Sequence, residues 1–477
     1  MHGTTNLLDV LGPARVVGHL PLSVETIVTD SRVTQPGALY VALRGERVDG
    51  HQFVRAAVAN GAVAVVAERE SLVDAPQVIV EDTRVAISRL ADAFYGHPSR
   101  LLRVTGITGT NGKTTTAHLL RAVLDAAGQP CGIIGTLGGA FGDEKWPIGN
   151  TTPLALDLHR LLAEMHASGA TSVAMEVSSH ALALGRVEDV QFAVAALTNI
   201  TRDHLDFHGT VERYTAAKRR LFDLAPKAVL NVDDPAGERF AIELPHAITY
   251  AIDAPADVRP SHVRLNGEGS TFSIDGTAVE IFLPGRFNVR NALATFAIGR
   301  ALGITDNIIV RGLAAARAVP GRMERIGAFG IDAIVDYAHT PDALENVLNA
   351  ARETTRGRLI VVFGCGGDRD PGKRAEMGAI ASRISDHVIV TSDNPRSEDP
   401  MRIAQAIAAG IAADIIIDRR AAIRRAIFDA VAGDTVIVAG KGHEAYQIVG
   451  AESHPFDDRD EVRAAFSERA HNSHGER

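Results

Sequence analysis

One stretch, Gly106-Ile107-Thr108-Gly109-Thr110-Asn111-Gly112-Lys113-Thr114-Thr115-Thr116, constrains this chain's fold more than any other. It follows the apolar-rich run Leu101-Leu102-Arg103-Val104 and precedes a helical pattern from Ala117 to Ala127. A strand that feeds a glycine-rich turn and then a helix is the setting of a phosphate loop. Glycines let the backbone turn its N–H groups inward and approach an anion closely. The helix N-terminus adds partial positive charge. Lys113 can reach terminal phosphates, and the Thr114 hydroxyl suits Mg2+. Five residues separate Gly106 from Gly112, one more than the usual spacing. A plain turn before a helix is the alternative, and the Gly-Lys-Thr ending argues against it. The expectation is a nucleoside triphosphate site.

At 477 residues the chain is too long for one core, so about three domains are expected. Its 46% hydrophobic and 22% charged residues are those of a globular protein. No apolar run approaches the ~18 residues of a membrane span. The first residues, Met1 to Asn6, lack the basic region and apolar core of a signal peptide. Two cysteines, Cys131 and Cys365, cannot build a disulfide framework and fit a reducing compartment. A net charge of −9 argues against a broad nucleic-acid surface. A cytoplasmic monomer with neither membrane nor nucleic-acid partners is therefore expected.

Residues 1–97 read as a small α/β domain. Val24 to Asp30, Ala38 to Leu43 and Ala62 to Ala67 are predicted strands, and Phe53 to Asn60 is a predicted helix. His97-Pro98-Ser99-Arg100 breaks the chain before a second domain, residues 98–320. There Ser172 to Val177, Phe192 to Thr198 and Ala228 to Val232 read as further strands. Pro320-Gly321-Arg322 marks the boundary to a third domain, residues 321–477. Its predicted strands are Ala333 to Asp336, Leu359 to Gly364, His387 to Ser392 and Thr435 to Gly440. Strands that alternate with helices imply parallel sheets covered by helices, with ligands at the carboxyl ends of the strands. The fold class is α/β in three domains. A central phosphate-loop ATPase domain is flanked by a small N-terminal α/β domain and a C-terminal Rossmann-like α/β domain.

Polar clusters fall at those strand ends. Glu176 closes one strand, where a carboxylate near a phosphate loop is a natural Mg2+ ligand. An ordinary strand-end acid is the bland reading. Thr198 to Asp206 follows another strand and gathers Asp203, His204 and Asp206, so ligation and surface polarity compete evenly there. Tyr214 to Phe222 reads as an amphipathic helix, and spacing alone makes Lys218 a solvated helix lysine. In the last domain four loops follow strands: Asp336 to Asp342, Gly364 to Asp370, Asp393 to Arg396 and Gly440 to Glu444. One such loop would be unremarkable, since turns favour Gly, Asp, Asn and Pro. Four on one rim suit a charged substrate.

Together these motifs resemble those of the Mur ligases, ATP-dependent enzymes that add amino acids to a cell-wall precursor. The resemblance runs from Asp30-Ser31-Arg32 to Gly440-Lys441-Gly442-His443-Glu444, and Thr108 to Thr114 is similar to the family's own phosphate loop. It implies that Gly109, Thr110, Asn111, Gly112, Lys113, Thr114 and Thr115 hold ATP. Asn288, Asn291, Arg322, Asp336 and His339 would face the same nucleotide. Thr29, Ser31, Glu46, Arg47 and Val48 would meet the UDP-sugar of UDP-N-acetylmuramoyl-L-alanyl-D-glutamate. Asn150, Thr151, Thr152, Ser178 and Arg186 would hold the rest of that substrate. Leu184 departs from the Gln of many relatives. Thr114, Glu176, His204 and Lys218 would bind Mg2+, Lys218 as a carbamate, with Lys113, Glu176, His204 and Lys218 as the catalytic set. Arg369, Asp393, Asn394, Pro395, Arg396, Gly440 and Glu444 would bind the incoming amino acid. The Asp-Asn-Pro-Arg segment resembles that of relatives adding meso-2,6-diaminopimelate. Its arginine can pair the second carboxylate bidentately, which L-lysine lacks. A lysine-adding Mur ligase, a folylpolyglutamate-synthase-like ligase, a phosphate-loop switch and a non-catalytic nucleotide-sugar binder are the rivals.

Overall fold

The computed structural model describes residues 2–3, 9–45, 48–317 and 319–475. The chain separates into two compact units. One holds residues 1–108, 128–195 and 217–228, and the other holds 109–127, 196–216 and 229–477.

In the first unit, a five-stranded sheet runs in the order Arg15–Val17, Gln77–Ile79, Ala62–Ala67, Ala38–Val41, Thr26–Val28. Side chains along its strands alternate between two cores, as the two-residue period of a strand requires. Leu39, Val41, Ala64 and Val66 enter one, and Ala38, Tyr40, Val65 and Ala67 the other. The strand expected over Val24 to Asp30 is split. Ser23–Val24 and Thr26–Val28 are separate strands, and Asp30 caps the short 3-10 helix Ser31–Val33 by accepting from Arg32 N. An Asp side chain that bonds the backbone two residues on ends a strand in this way. The same unit carries the parallel trio Cys131–Gly135, Ser172–Glu176 and Arg103–Thr108. Register sets Glu176 opposite Ile107, beside the exit of the strand that leads to the glycine-rich loop. Leu101 lies in the short helix Pro98–Leu101, so that strand begins only at Arg103.

In the second unit, the helix after the loop begins at Lys113, a turn earlier than the apolar pattern from Ala117. The threonines Thr114 to Thr116 are polar but buried, which hides the helical period from the sequence. A six-stranded sheet runs in the order Glu324–Ala328, Ile331–Asp336, Thr435–Ala439, Leu359–Phe363, His387–Val390, Asp414–Ile415. All neighbours are parallel except the first pair. Leu359, Val361 and Phe363 pack into one core, and Ile360 and Val362 into the core on the opposite face. A continuous apolar run buried on both faces marks a helix-covered parallel strand. Helices start where Asp or Thr caps precede proline: Asp234 before Pro235, Thr340 before Pro341, Asp399 before Pro400. Because the strands are parallel and in register, the loops after Asp336, Phe363, Val390 and Ala439 leave on one rim. Both cysteines are buried, and neither forms a disulfide among the described residues. Among the described residues no helix is long and apolar enough to cross a membrane.

Candidate active site

The phosphate loop is latched in place by its own unit. Thr110 N donates to Asn199 O (2.8 Å), Asn111 N to Asn199 Oδ1 (3.0 Å), and Thr198 Oγ1 to Asn111 O (2.6 Å). Lys113 Nζ lies across the loop, donating to Gly109 O and Thr110 O at 2.8 Å each. Gly112 takes φ of +86°, and a Cβ there would stand 2.4 Å from Asn291 Oδ1. Only glycine fits that backbone and that contact. Asn291 in turn donates to Asn288 Oδ1 (3.1 Å), and Asn288 to Pro284 O (2.7 Å). The two asparagines are thus buried against the loop. A cleft of about 410 Å3 has Arg286, Phe287, Asn346 and Ala350 among its walls.

Arg322 reaches the same loop, its Nη2 donating to Thr114 Oγ1 at 3.0 Å. Asp336 anchors the backbone around it, accepting from Met323 N and Ala338 N at 2.8 Å each. Burial raises the Asp336 carboxyl above the ordinary range, against the pull of Arg322 and those two amides. His339 bonds Tyr337 O through Nδ1 (2.9 Å), and Lys373 Nζ donates to His339 O (2.7 Å). Burial and then Lys373 hold the His339 imidazole below its usual range. His204 takes a left-handed backbone with φ of 53°, and its Nε2 lies 3.3 Å from Asp203 Oδ2. Burial opposes ionisation of Asp203, but His204, His339, Lys373 and Lys113 outweigh it and hold the carboxyl low.

Around the rim, Asp393 and Asn394 lie against the loop after Ala439, and Pro395 and Arg396 follow them in the chain. Asn394 Nδ2 donates to Glu444 Oε2 (3.1 Å), and Tyr337 OH to Glu444 Oε1 (3.3 Å). Lys441 is 0% exposed. Its Nζ donates to Asn394 Oδ1 (2.9 Å) and Tyr446 O (2.8 Å), and lies 3.3 Å from Asp393 Oδ1. Burial raises the Glu444 carboxyl, and the neighbouring Asp393 adds to the rise. Arg396 Nη1 is steadied by Gly367 O (2.8 Å). Gly440 N donates to Asp336 O (3.0 Å). Arg369 extends to Asp206 Oδ2, 3.6 Å away.

In the first unit, Glu176 is 1% exposed. Its Oε1 accepts from Thr136 N (2.9 Å) and its Oε2 from Thr136 Oγ1 (3.1 Å). A Cβ on Gly135 would stand 2.1 Å from Oε1, so this carboxylate rests in a cradle that only glycine leaves open. Thr136 Oγ1 and Thr151 Oγ1 lie 3.3 Å apart. Thr152 bonds Glu176 O (2.9 Å) and accepts from Ser178 N (3.0 Å), while Arg186 donates to Thr152 O (3.0 Å). Thr151, Thr152, Ser178 and Arg186 thus gather around Glu176. Asn150 is exposed beside them, and Ser178 Oγ caps the helix Ser179–Ala183. Leu184 follows that helix, half-buried. Ser31 is buried and its carbonyl accepts from Asn60 Nδ2 (2.8 Å), with Thr29 nearby in sequence. Val48 is exposed, and Glu46 and Arg47 lie outside the described residues. Lys218 is 1% exposed. The solvated-lysine reading that spacing favours is therefore wrong, because the polar face of the helix Val211–Arg219 is not all solvent-facing.

Several residues here were not singled out by sequence patterns. Tyr337, Asp342, Lys373 and Lys441 sit inside quoted motifs or just beside them, yet nothing in their spacing separates them from turn residues. Asp342 accepts from Asn111 Nδ2 (2.8 Å), joining the third-domain helix Pro341–Thr354 to the loop. Among the described residues no three His, Cys, Asp or Glu side chains gather as a metal-binding group.

A phosphate loop sharing one unit with a carboxylate-and-amide pocket is an arrangement that suits a nucleotide-driven ligase of carboxylates and amines. Family models agree. The Mur ligase catalytic domain matches residues 23–95, the Mur ligase middle domain 107–299, and the Mur ligase glutamate ligase domain 321–442. A UDP-N-acetylmuramoyl-L-alanyl-D-glutamate--2,6-diaminopimelate ligase of Geobacter metallireducens is 45% identical, over 97% of this chain and 98% of its own length. One of the same name from Geobacillus kaustophilus is 46% identical over 92% and 94%. A solved structure of a ligase so named is 35% identical, with a TM-score of 0.67 over 94% of this chain and 95% of that one. The chain belongs to the Mur ligase family.

Proposed function

We propose that this chain is an ATP-dependent ligase that joins meso-2,6-diaminopimelate to UDP-N-acetylmuramoyl-L-alanyl-D-glutamate through an acyl phosphate, in peptidoglycan precursor synthesis. The observation that carries the reading is the hydrogen bond from Asn394, within the Asp393–Arg396 segment, to the Glu444 carboxylate (3.1 Å). A guanidinium and a half-buried carboxylate on one rim suit the distal carboxylate and ammonium of diaminopimelate. Relatives bearing this activity in their names, at about 45% identity over almost the whole chain, support it.

The reaction has two steps. A free carboxylate of the D-glutamyl residue attacks the γ-phosphorus of ATP, the bond to the bridging oxygen breaks, and ADP leaves. The amine of diaminopimelate then attacks the acyl carbon, loses a proton, and displaces phosphate to leave an amide. Lys113 and the amides of Gly109 to Thr115 hold and neutralise the phosphates. Asn288, Asn291, Arg322, Asp336 and His339 orient the nucleotide. Arg369, Asp393 to Arg396, Gly440 and Glu444 hold the amino acid. Thr29, Ser31, Glu46, Arg47, Val48, Asn150 to Thr152, Ser178 and Arg186 hold the UDP-linked substrate. We assign Mg2+ to Thr114, Glu176, His204 and a carbamylated Lys218. The hard oxygens of Thr114, Glu176 and a carbamate suit that ion. When bound, it neutralises charge on the transferring phosphoryl group. Residues 1–97, 98–320 and 321–477 form the sugar-binding, ATP-binding and amino-acid-binding domains of a cytoplasmic monomer. The test is phosphate release with ATP and both co-substrates. Release only when all three are present supports the reading, and release that ignores the amino acid, as a phosphate-loop switch would give, overturns it.

A further inference from the structure

Tyr337 stands between the two halves of the second unit's chemistry. Its hydroxyl donates to Glu444 Oε1 at 3.3 Å. Its ring lies under the Arg322 guanidinium, with Cζ 4.5 Å from the centroid, and Arg322 donates to Thr114 Oγ1 at 3.0 Å. The ring is fixed from other sides too. His339 meets it at 4.7 Å between centroids and 64°, and His443 at 5.0 Å and 41°. Gly442 Cα lies against it, since a Cβ there would stand 2.8 Å from Tyr337 Cβ. Burial pushes the phenol pKa well up, and the Glu444 charge pushes it further, so the hydroxyl stays a donor across working pH. Glu444 is held on its other oxygen by Asn394, itself fixed by Lys441 and Ile448 N.

A carboxylate that recognises an ammonium works only when its oxygens are aimed. A guanidinium beside a phosphate loop likewise needs its plane fixed, and an aromatic face does so for Arg. One side chain performs both tasks here. We propose that Tyr337 is a positioning residue for the ligation, aiming Glu444 at the distal ammonium of the incoming amino acid through its hydroxyl and Arg322 at the nucleotide loop through its ring. The inference rests on the functional reading above and adds a residue to it.

The two tasks separate by substitution. Tyr337→Phe keeps the ring under Arg322 and removes only the donor to Glu444. Its KM for diaminopimelate should rise about five- to tenfold while KM for ATP stays put. Tyr337→Leu removes both, so both KM values should rise. A double-mutant cycle distinguishes aiming from general packing. In a Glu444→Gln background the Phe substitution should cost less than about twofold, because the carboxylate it served is gone. Circular dichroism melts confirm folding, and Phe keeps the volume of the ring. If wild-type protein turns over diaminopimelate but Tyr337→Phe leaves its KM unchanged, raises KM for ATP equally, or is additive with Glu444→Gln, the inference is wrong while the functional reading stands. If wild-type protein releases no phosphate with diaminopimelate, the functional reading falls and takes this inference with it.

Discussion

Lys441→Met removes a cation from the most buried part of the amino-acid pocket. The ammonium is 0% exposed. It donates to Asn394 Oδ1 and Tyr446 O and sits 3.3 Å from Asp393 Oδ1. Met fills much of the volume but leaves the Asp393 carboxylate buried without its nearest cation. Removing one partner of a buried ion pair typically costs about 3–5 kcal/mol. At roughly 2–4 °C per kcal/mol, the melting transition of the region carrying the six-stranded sheet should fall by ~6–20 °C. The loss should depend on pH. Burial opposes ionisation of Asp393, but Lys441, with Arg419 behind it, holds the carboxyl below the ordinary range. A carboxyl lowered in the fold adds stability that is complete above the unfolded value and lost as pH falls through the lowered one. The gap between wild-type and variant melts should therefore be full at neutral pH and narrow on acidification below the ordinary carboxylate range. KM for diaminopimelate should rise as well, because Asn394 loses the bond that aims it at Glu444. Thermal melts from pH 7 to 3, with ligation assays at neutral pH, check each part. A variant that melts within about 2 °C of wild type, with an unchanged KM, would refute the argument.

Two further substitutions probe the phosphate site. Lys113→Ala should abolish ligation while leaving the melt almost unchanged, since Nζ donates to two carbonyls of the loop itself; near-normal turnover would remove the phosphate-loop assignment. Lys218→Ala and Lys218→Arg should both lose most activity while still binding ATP, because neither can carry a carbamate, and acetate should partly restore the Ala variant; an active Arg variant would show the carbamate assignment to be wrong.

The alternation of strands and helices was legible from sequence because fully buried parallel strands such as Leu359–Phe363 are unbroken apolar runs. The convergence of four loops followed from that alternation alone. Element ends were less legible. Asp30 stops a strand early through a local backbone bond, and Thr114 to Thr116 hide the start of a helix because they are polar yet buried. The site residues that patterns left unnoticed are those whose role lies in long-range contacts. Tyr337 and Glu444 are 107 positions apart, and Asn111 and Asp342 are 231 apart. No periodicity records such a pairing. Lys218 shows the opposite limit: its spacing suggests solvent, and only its burial contradicts that.

The central claim is that the rim formed by Asp393–Arg396 and Glu444 recognises an amino acid with charged groups at both ends. Its most direct test is kcat/KM for meso-2,6-diaminopimelate against L-lysine, with ATP and UDP-N-acetylmuramoyl-L-alanyl-D-glutamate saturating. Leaving a charge-assisted pair unmade at a buried site costs on the order of 2–5 kcal/mol. Diaminopimelate should therefore be favoured by roughly 30-fold to several thousand-fold. Equal kcat/KM for the two amino acids would contradict the account.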